Sequence, residues 1–256
     1  MSLNTNELRR ISDVMNTPDI SGKSLEKEPK YFYEHITKHY LDKKDQKIGL
    51  GSGKTVADFL AEIKGLSTLD SMQFVASSLQ IKLQAIQCNL EVGNENNILD
   101  IQVLFDGADQ VDSEYHMIKG GGGALFREKI LFRSAKQVVI MASREKYVDN
   151  LHRAIPVEVH PFARALFVRE INNLGKRVLN CTLRFLDKGF PFFTENGNVI
   201  FDVQFESIGP IRTMETDIKS IPGVIEVGLF PRPTNACYYK IYPDNSFEIM
   251  EFGLHK

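Results

Sequence analysis

Residues 98–105 read ILDIQVLF, residues 106–112 read DGADQVD, and after SEYHMI the chain continues KGGGGALFREK to position 129. The first run is apolar and β-branched enough to be a buried strand. An Asp cluster directly after it then falls at the carboxyl end of a parallel strand, where open α/β sheets bind their ligands. Each of the four successive glycines carries an entropic penalty of about 0.5–1 kcal/mol relative to alanine in regular structure. Such a run makes sense where backbone must pass close to a ligand, or turn with positive φ, just before a helix.

That helix is expected over 124–135. On a 3.6-residue period Ala124, Leu125, Leu131, Phe132 and Ala135 share one face, while Arg127, Lys129, Arg133 and Lys136 point elsewhere. Glu128 sits on the apolar face. A carboxylate stripped of water there is suited to exchanging a proton near neutral pH. The alternative is a structural ion pair between Glu128 and Lys119. The glycine run and Asp cluster immediately upstream favour the catalytic reading.

Working outward, helices are expected over 31–41, 55–64 and 78–87, and strands over 46–50, 73–76 and 137–142. This alternation predicts an α/β fold, a Rossmann-like parallel sheet with helices on both faces. From Ile155 the pattern becomes β-α-β-β-α-β, the order of a smaller α+β ferredoxin-like domain. The expected organisation is an N-terminal extension over 1–29, a catalytic domain over 30–150 and 231–256, and the ferredoxin-like domain over 151–230. Within the polar extension, residues 6–15 could form a short amphipathic helix with Leu8, Ile11 and Val14 on one side.

Composition narrows the class. At 256 residues and 43% hydrophobic the chain can bury a sizeable core. A net charge of −2 leaves no electrostatic footprint for nucleic acid or an anionic membrane. Cys88, Cys181 and Cys237 are few, odd in number and far apart, as in a reduced cytoplasmic protein. No apolar run reaches membrane-spanning length, and the first 28 residues lack a signal-peptide composition.

GLGSGKT at 49–55 invites two readings that fail by register. A nucleotide-triphosphate loop would need glycine at position 48, which is Ile48, and a dinucleotide fingerprint would need it at position 54, which is Lys54. What survives is a strand, a Gly-rich turn and a helix N-terminus whose N–H groups can hold a phosphate monoester, with hydroxyls from Ser52 and Thr55 and a charge from Lys54. His35 and His39, four apart, lack the glutamate and third ligand of a zinc site. The three-residue spacing of Asp106, Asp109 and Asp112 differs from calcium-loop alternation.

These segments resemble ribose-5-phosphate isomerase, type A, whose corresponding stretches read close to DGADEVD and KGGGGALTREKI. The likeness extends to GLGSGKT, a phosphate loop in that family, and to NGNVIFDV at 196–203 and IPGVIEVGLF at 221–230. The resemblance implies interconversion of D-ribose 5-phosphate and D-ribulose 5-phosphate through an enediolate, in the pentose phosphate pathway, with no metal and no cofactor. It implies Glu128 as base, Lys119 with the N–H groups of Gly120, Gly121 and Gly122 as oxyanion donors, and Asp106 for proton transfer in ring opening. Substrate contacts are expected from Ser52, Gly53, Lys54, Thr55, Asp106, Gly107, Ala108, Asp109 and Lys146. Ser77 and Ser78 stand where the family has a hydroxyl pair near the substrate. A homodimer or homotetramer is implied as well.

The chain departs from the family pattern at Lys54, where Ser is common, at Phe126, where Thr is usual, and at SREK over 143–146. Two rival readings remain on the residues alone. An amino-sugar phosphate deaminase on the related scaffold would need a catalytic histidine, absent from these motifs. A sugar-phosphate sensor would have no reason to keep a carboxylate on an apolar helix face.

Overall fold

The computed structural model describes residues 30–253 apart from Asn245; the amphipathic helix expected over 6–15 lies outside them. The elements run α1 (Lys30–Tyr40), β1 (Lys47–Leu50), α2 (Lys54–Ile63), β2 (Gln73–Ala76), α3 (Leu79–Gln87), β3 (Val103–Asp106), β4 (Gln110–Val111), β5 (Met117–Ile118), α4 (Leu125–Ser134) and β6 (Gln137–Ser143). They continue β7 (Ile155–Val159), α5 (Arg164–Asn172), β8 (Val178–Leu183), β9 (Val199–Phe205), α6 (Ile211–Lys219), β10 (Val224–Val227), β11 (Leu229–Phe230), β12 (Ala236–Ile241) and β13 (Phe247–Phe252). By contacts the chain divides into two units. One reaches to Gly107 and takes in Leu131–Arg144 and the chain from Asn235; the other is Ala108–Ile130 with Glu145–Thr234.

The first unit is built on a six-stranded sheet in the order β13-β12-β6-β3-β1-β2. Neighbours are parallel except β12 and β13, which form an antiparallel edge. β3 and the interior of β6 are buried at every residue, which is why they read as unbroken apolar runs rather than alternating ones. Val103, Phe105, Val139 and Met141 project into one core with the apolar stripes of α1, α2 and α3. The intervening Leu104, Val138 and Ile140, on the opposite pleat, are equally dry. The strand expected over 98–105 is shorter than anticipated. Leu99 is 67% exposed and Asp100 has φ 65°, so the apolar residues at 98–101 lead through a turn before pairing starts at Val103.

In the second unit β7 to β10 realise the β-α-β-β-α-β order, with sheet order β10-β7-β9-β8 and every pairing antiparallel. Val157, Val203, Phe167, Ile171, Met214 and Ile218 fill its core, so α5 and α6 share one face of this sheet. A small sheet, β11-β5-β4, completes the unit. Residues 108–130, expected with the first domain, fall here because β5 pairs with β11 and β4 with β5, rather than with the six-stranded sheet. No described helix is long and apolar enough to cross a membrane.

Candidate active site

In the first unit the site residues gather at the carboxyl ends of β1 and β3. Asp106 ends β3 with no solvent exposure, and its Oδ1 accepts the Gly107 N–H at 2.7 Å. Gly51 donates its N–H to the Phe105 carbonyl at 2.8 Å, and a Cβ there would lie 1.9 Å from Asp106 Cγ. Only glycine lets the two segments approach this closely. Gly53 caps α2 at φ 91° and, having no side chain, supplies no capping hydrogen bond to the helix terminus. The first turn of a helix presents N–H groups and a positive partial charge suited to an anion. Gly107 lies beside Thr55, whose Oγ1 would be 3.7 Å from an added Cβ. Lys54 is half-exposed and its ammonium pairs with Asp58 one turn along α2. Ser77 is fully buried and donates its N–H to Leu50 at 2.9 Å, and its hydroxyl has no hydrogen-bond partner among the described residues. Ser78 caps α3, accepting the Ile81 N–H at 3.3 Å.

In the second unit Lys119 and Glu128 come together. Their Nζ and Oε2 are 3.3 Å apart and both side chains are 3% exposed. Leu125 and Leu131 flank Glu128 along the buried stripe of α4, as the helical period predicts. The Phe230 ring lies 5.5 Å from Lys119 Nζ. Two opposite charges this deep are stable only as a pair.

Between these residues runs the glycine turn. Gly120 and Gly123 take φ 101° and 84°, and a Cβ on Gly123 would lie 2.4 Å from the Phe192 ring. The Gly121 N–H, expected to face the substrate, instead donates to Asp109 Oδ2 at 2.8 Å. Gly123 N–H returns to the Gly120 carbonyl at 3.0 Å. The carboxylate of Asp112, third in the cluster, is spent locally: its Oδ1 accepts the N–H groups of Glu114 and His116 at 3.0 and 2.8 Å, while burial pushes its pKa up. Lys146 ends a single 3-10 turn, Arg144–Lys146, after β6. Burial raises the thiols of Cys181 and Cys237 to about 11, so both stay protonated near neutral pH.

Three features escaped the sequence reading. Lys129 bonds the Val227 and Leu229 carbonyls at 2.6 and 2.8 Å and pairs with Glu215 and Glu226, fixing α4 to β10 and β11. Glu158, fully buried on β7, holds Thr194, Asn196 and Asn198 through one oxygen. Arg184 donates through Nη1 to the carbonyls of Gly120 and Gly121, both at 3.0 Å. None has a local signal, since each partner lies tens of residues away. Among the described residues no group of three or more His, Cys, Asp or Glu is arranged to hold a metal.

A sequence profile described as ribose 5-phosphate isomerase A (phosphoriboisomerase A) matches residues 73–241. The chain belongs to that family. It is 40% identical over 186 residues to the ribose-5-phosphate isomerase A of Korarchaeum cryptofilum, covering 72% of this chain and 80% of the relative. Against the ribose-5-phosphate isomerase of Kluyveromyces lactis it is 32% identical over 253 residues, 94% of this chain and 90% of that one. Among solved structures, ribose 5-phosphate isomerase A from Methanocaldococcus jannaschii superposes with TM-score 0.76 at 29% identity, covering 86% of this chain and 96% of its own. A D-ribose-5-phosphate isomerase in complex with phospho-erythronic acid gives 0.78 at 31%, with coverages of 87% and 96%. Family membership removes the deaminase and sensor alternatives and fits the α/β fold described above.

Proposed function

We propose that this protein is an aldose-ketose isomerase that interconverts D-ribose 5-phosphate and D-ribulose 5-phosphate. The observation that carries the reading is the Lys119–Glu128 pair, buried beside the glycine turn. Glu128 removes the C2 proton of the open-chain aldose and returns it to C1, while the O2 hydroxyl proton passes to O1 and C2 becomes the ketone. The negative charge that develops on oxygen is met by the Lys119 ammonium and the Gly122 N–H, a class of donor often worth about 3–4 kcal/mol. Asp106 transfers the proton that opens the furanose ring, and Asp109 orients a sugar hydroxyl. The phosphate is held by the first turn of α2 with Ser52, Gly53 and Thr55, and Lys146 adds a further ligand contact. The enzyme works in the cytoplasm, in the pentose phosphate pathway, as a homodimer or homotetramer.

The decisive assay incubates the purified protein with ribose 5-phosphate after exhaustive chelation and follows ketose formation. Full activity is expected, because the electrostatic work falls to Lys119 and backbone N–H groups rather than to a Lewis acid. Activity lost with chelator and restored by one divalent ion would turn the Asp cluster into a metal site.

A further inference from the structure

Arg184 follows β8 directly, and its guanidinium is held from one side by Asp202 of β9. Nε donates to Asp202 Oδ2 at 2.8 Å and Nη2 to Oδ1, a two-pronged pair that fixes the plane of the group. From the other side Nη1 donates to the carbonyls of Gly120 and Gly121, and the Phe192 ring lies 5.8 Å from Cζ. Asp202 and Arg184 are largely shielded, at 30% and 15% side-chain exposure.

The two carbonyls converge on a single nitrogen, so consecutive peptide planes turn their oxygens to the same side. In a trans peptide the N–H points opposite to its own carbonyl. The Gly121 and Gly122 N–H groups therefore turn together to the other side. Gly121 N–H is taken there by Asp109 at 2.8 Å, and the same peptide geometry turns the Gly122 N–H that way. A hydrogen bond to a peptide carbonyl also polarises that peptide and strengthens its N–H as a donor. A permanently charged guanidinium does this at every working pH.

We propose that Arg184, held by Asp202, is a positioning residue for isomerisation: it sets and polarises the Gly121–Gly122 peptide so that the Gly122 N–H meets the enediolate oxygen. The inference rests on the isomerase reading above. Arg184 touches no reacting atom, and it acts on a bond that strengthens as the proton leaves C2. Its removal should therefore lower kcat rather than raise KM.

The test compares Arg184→Ala, Arg184→Lys and Asp202→Asn with the parent enzyme on ribose 5-phosphate, with the fraction of competent sites counted by phospho-erythronic acid titration. Per competent site, Arg184→Ala should lose about 10²-fold in kcat with KM within about threefold, in line with the loss of one oxyanion donor. Arg184→Lys, which keeps a charge in reach of the carbonyls, should recover at least about tenfold of that loss. Asp202→Asn, which keeps the side-chain shape, should fall by about three- to tenfold and carries the test if Arg184→Ala does not fold. Unchanged kcat per competent site in Arg184→Ala, or in Asp202→Asn where the former does not fold, would overturn the proposal. So would a lysine variant no better than alanine. A parent protein inactive on ribose 5-phosphate would instead overturn the isomerase reading.

Discussion

Two glycine-rich turns serve this molecule in opposite ways. At 51–53 the glycines clear space: Gly51 lets the chain pass against the Asp106 carboxylate, and Gly53 starts α2 at positive φ without a capping side chain of its own. The cation beside that turn, Lys54, is half-exposed and shared with Asp58. At 120–123 the backbone is bound from both sides, by Arg184 on two carbonyls and Asp109 on one N–H, and the neighbouring charges Lys119 and Glu128 are almost wholly buried. A turn that holds a ground-state dianion can be open and tolerant. A turn that must meet charge appearing only in the transition state has to be held in advance. Substitutions in the two turns should separate along that line.

The largest effect is expected at Glu128→Gln, which keeps the shape of the buried stripe and removes the carboxylate proposed as base. Turnover should fall by roughly 10²–10⁴ with a much smaller change in KM. Steady-state kinetics on a folded variant checks this, and near-normal turnover would take Glu128 out of the mechanism.

Next in size is Gly51→Ala. The added methyl would stand 1.9 Å from Asp106 Cγ and 2.0 Å from its Oδ1, so the carboxylate or the backbone must move. Overpacking of this kind destabilises by about 1–3 kcal/mol. A displaced Asp106 should also lower turnover by about 10–10², since misplacement by an ångström costs that much in a positioned site. Thermal melts and kinetics on the same preparation measure both. A variant with parental stability and turnover would show that the close approach of Gly51 is dispensable.

How much of this was legible in the sequence varies with the range of the interaction. The 3.6-residue period placed Glu128 on the buried stripe of α4, because that burial is set by residues three positions away on either side. The β-α-β-β-α-β order was likewise local. The start of β3 was misread since an apolar stretch such as 98–101 looks the same whether it pairs or turns, and the φ of 65° at Asp100 leaves no mark in composition. Residues 108–130 went to the wrong neighbour because a two-residue strand such as β5 is specified by its partner, β11, more than a hundred residues on. Arg184 was passed over for the same reason: its meaning lies in carbonyls 63 and 64 residues away. The Gly121 N–H was counted as a substrate donor because sequence cannot show that Asp109 already occupies it.

The smallest effect is expected at Lys54→Ser, which restores the residue usual in the family. If the open turn holds phosphate mainly through N–H groups and hydroxyls, the lysine is an auxiliary charge. Its pairing with Asp58 weakens it further, since the ammonium must share its field with a carboxylate four residues along the same helix face. Exposed ion contacts of this kind are worth about 0.2–1 kcal/mol, so KM should rise only a few-fold while turnover holds. The salt dependence of KM should shrink in the variant, because a screened surface charge has been removed. Asp58→Asn gives the complementary arm: freeing the ammonium from its partner should lower KM slightly, and only when Lys54 is present. Magnesium-ATP should bind neither form, as Ile48 stands where a nucleotide loop needs glycine. A large fall in turnover at Lys54→Ser would place this lysine among the groups that act in the transition state, and the division of labour between the two turns would fail.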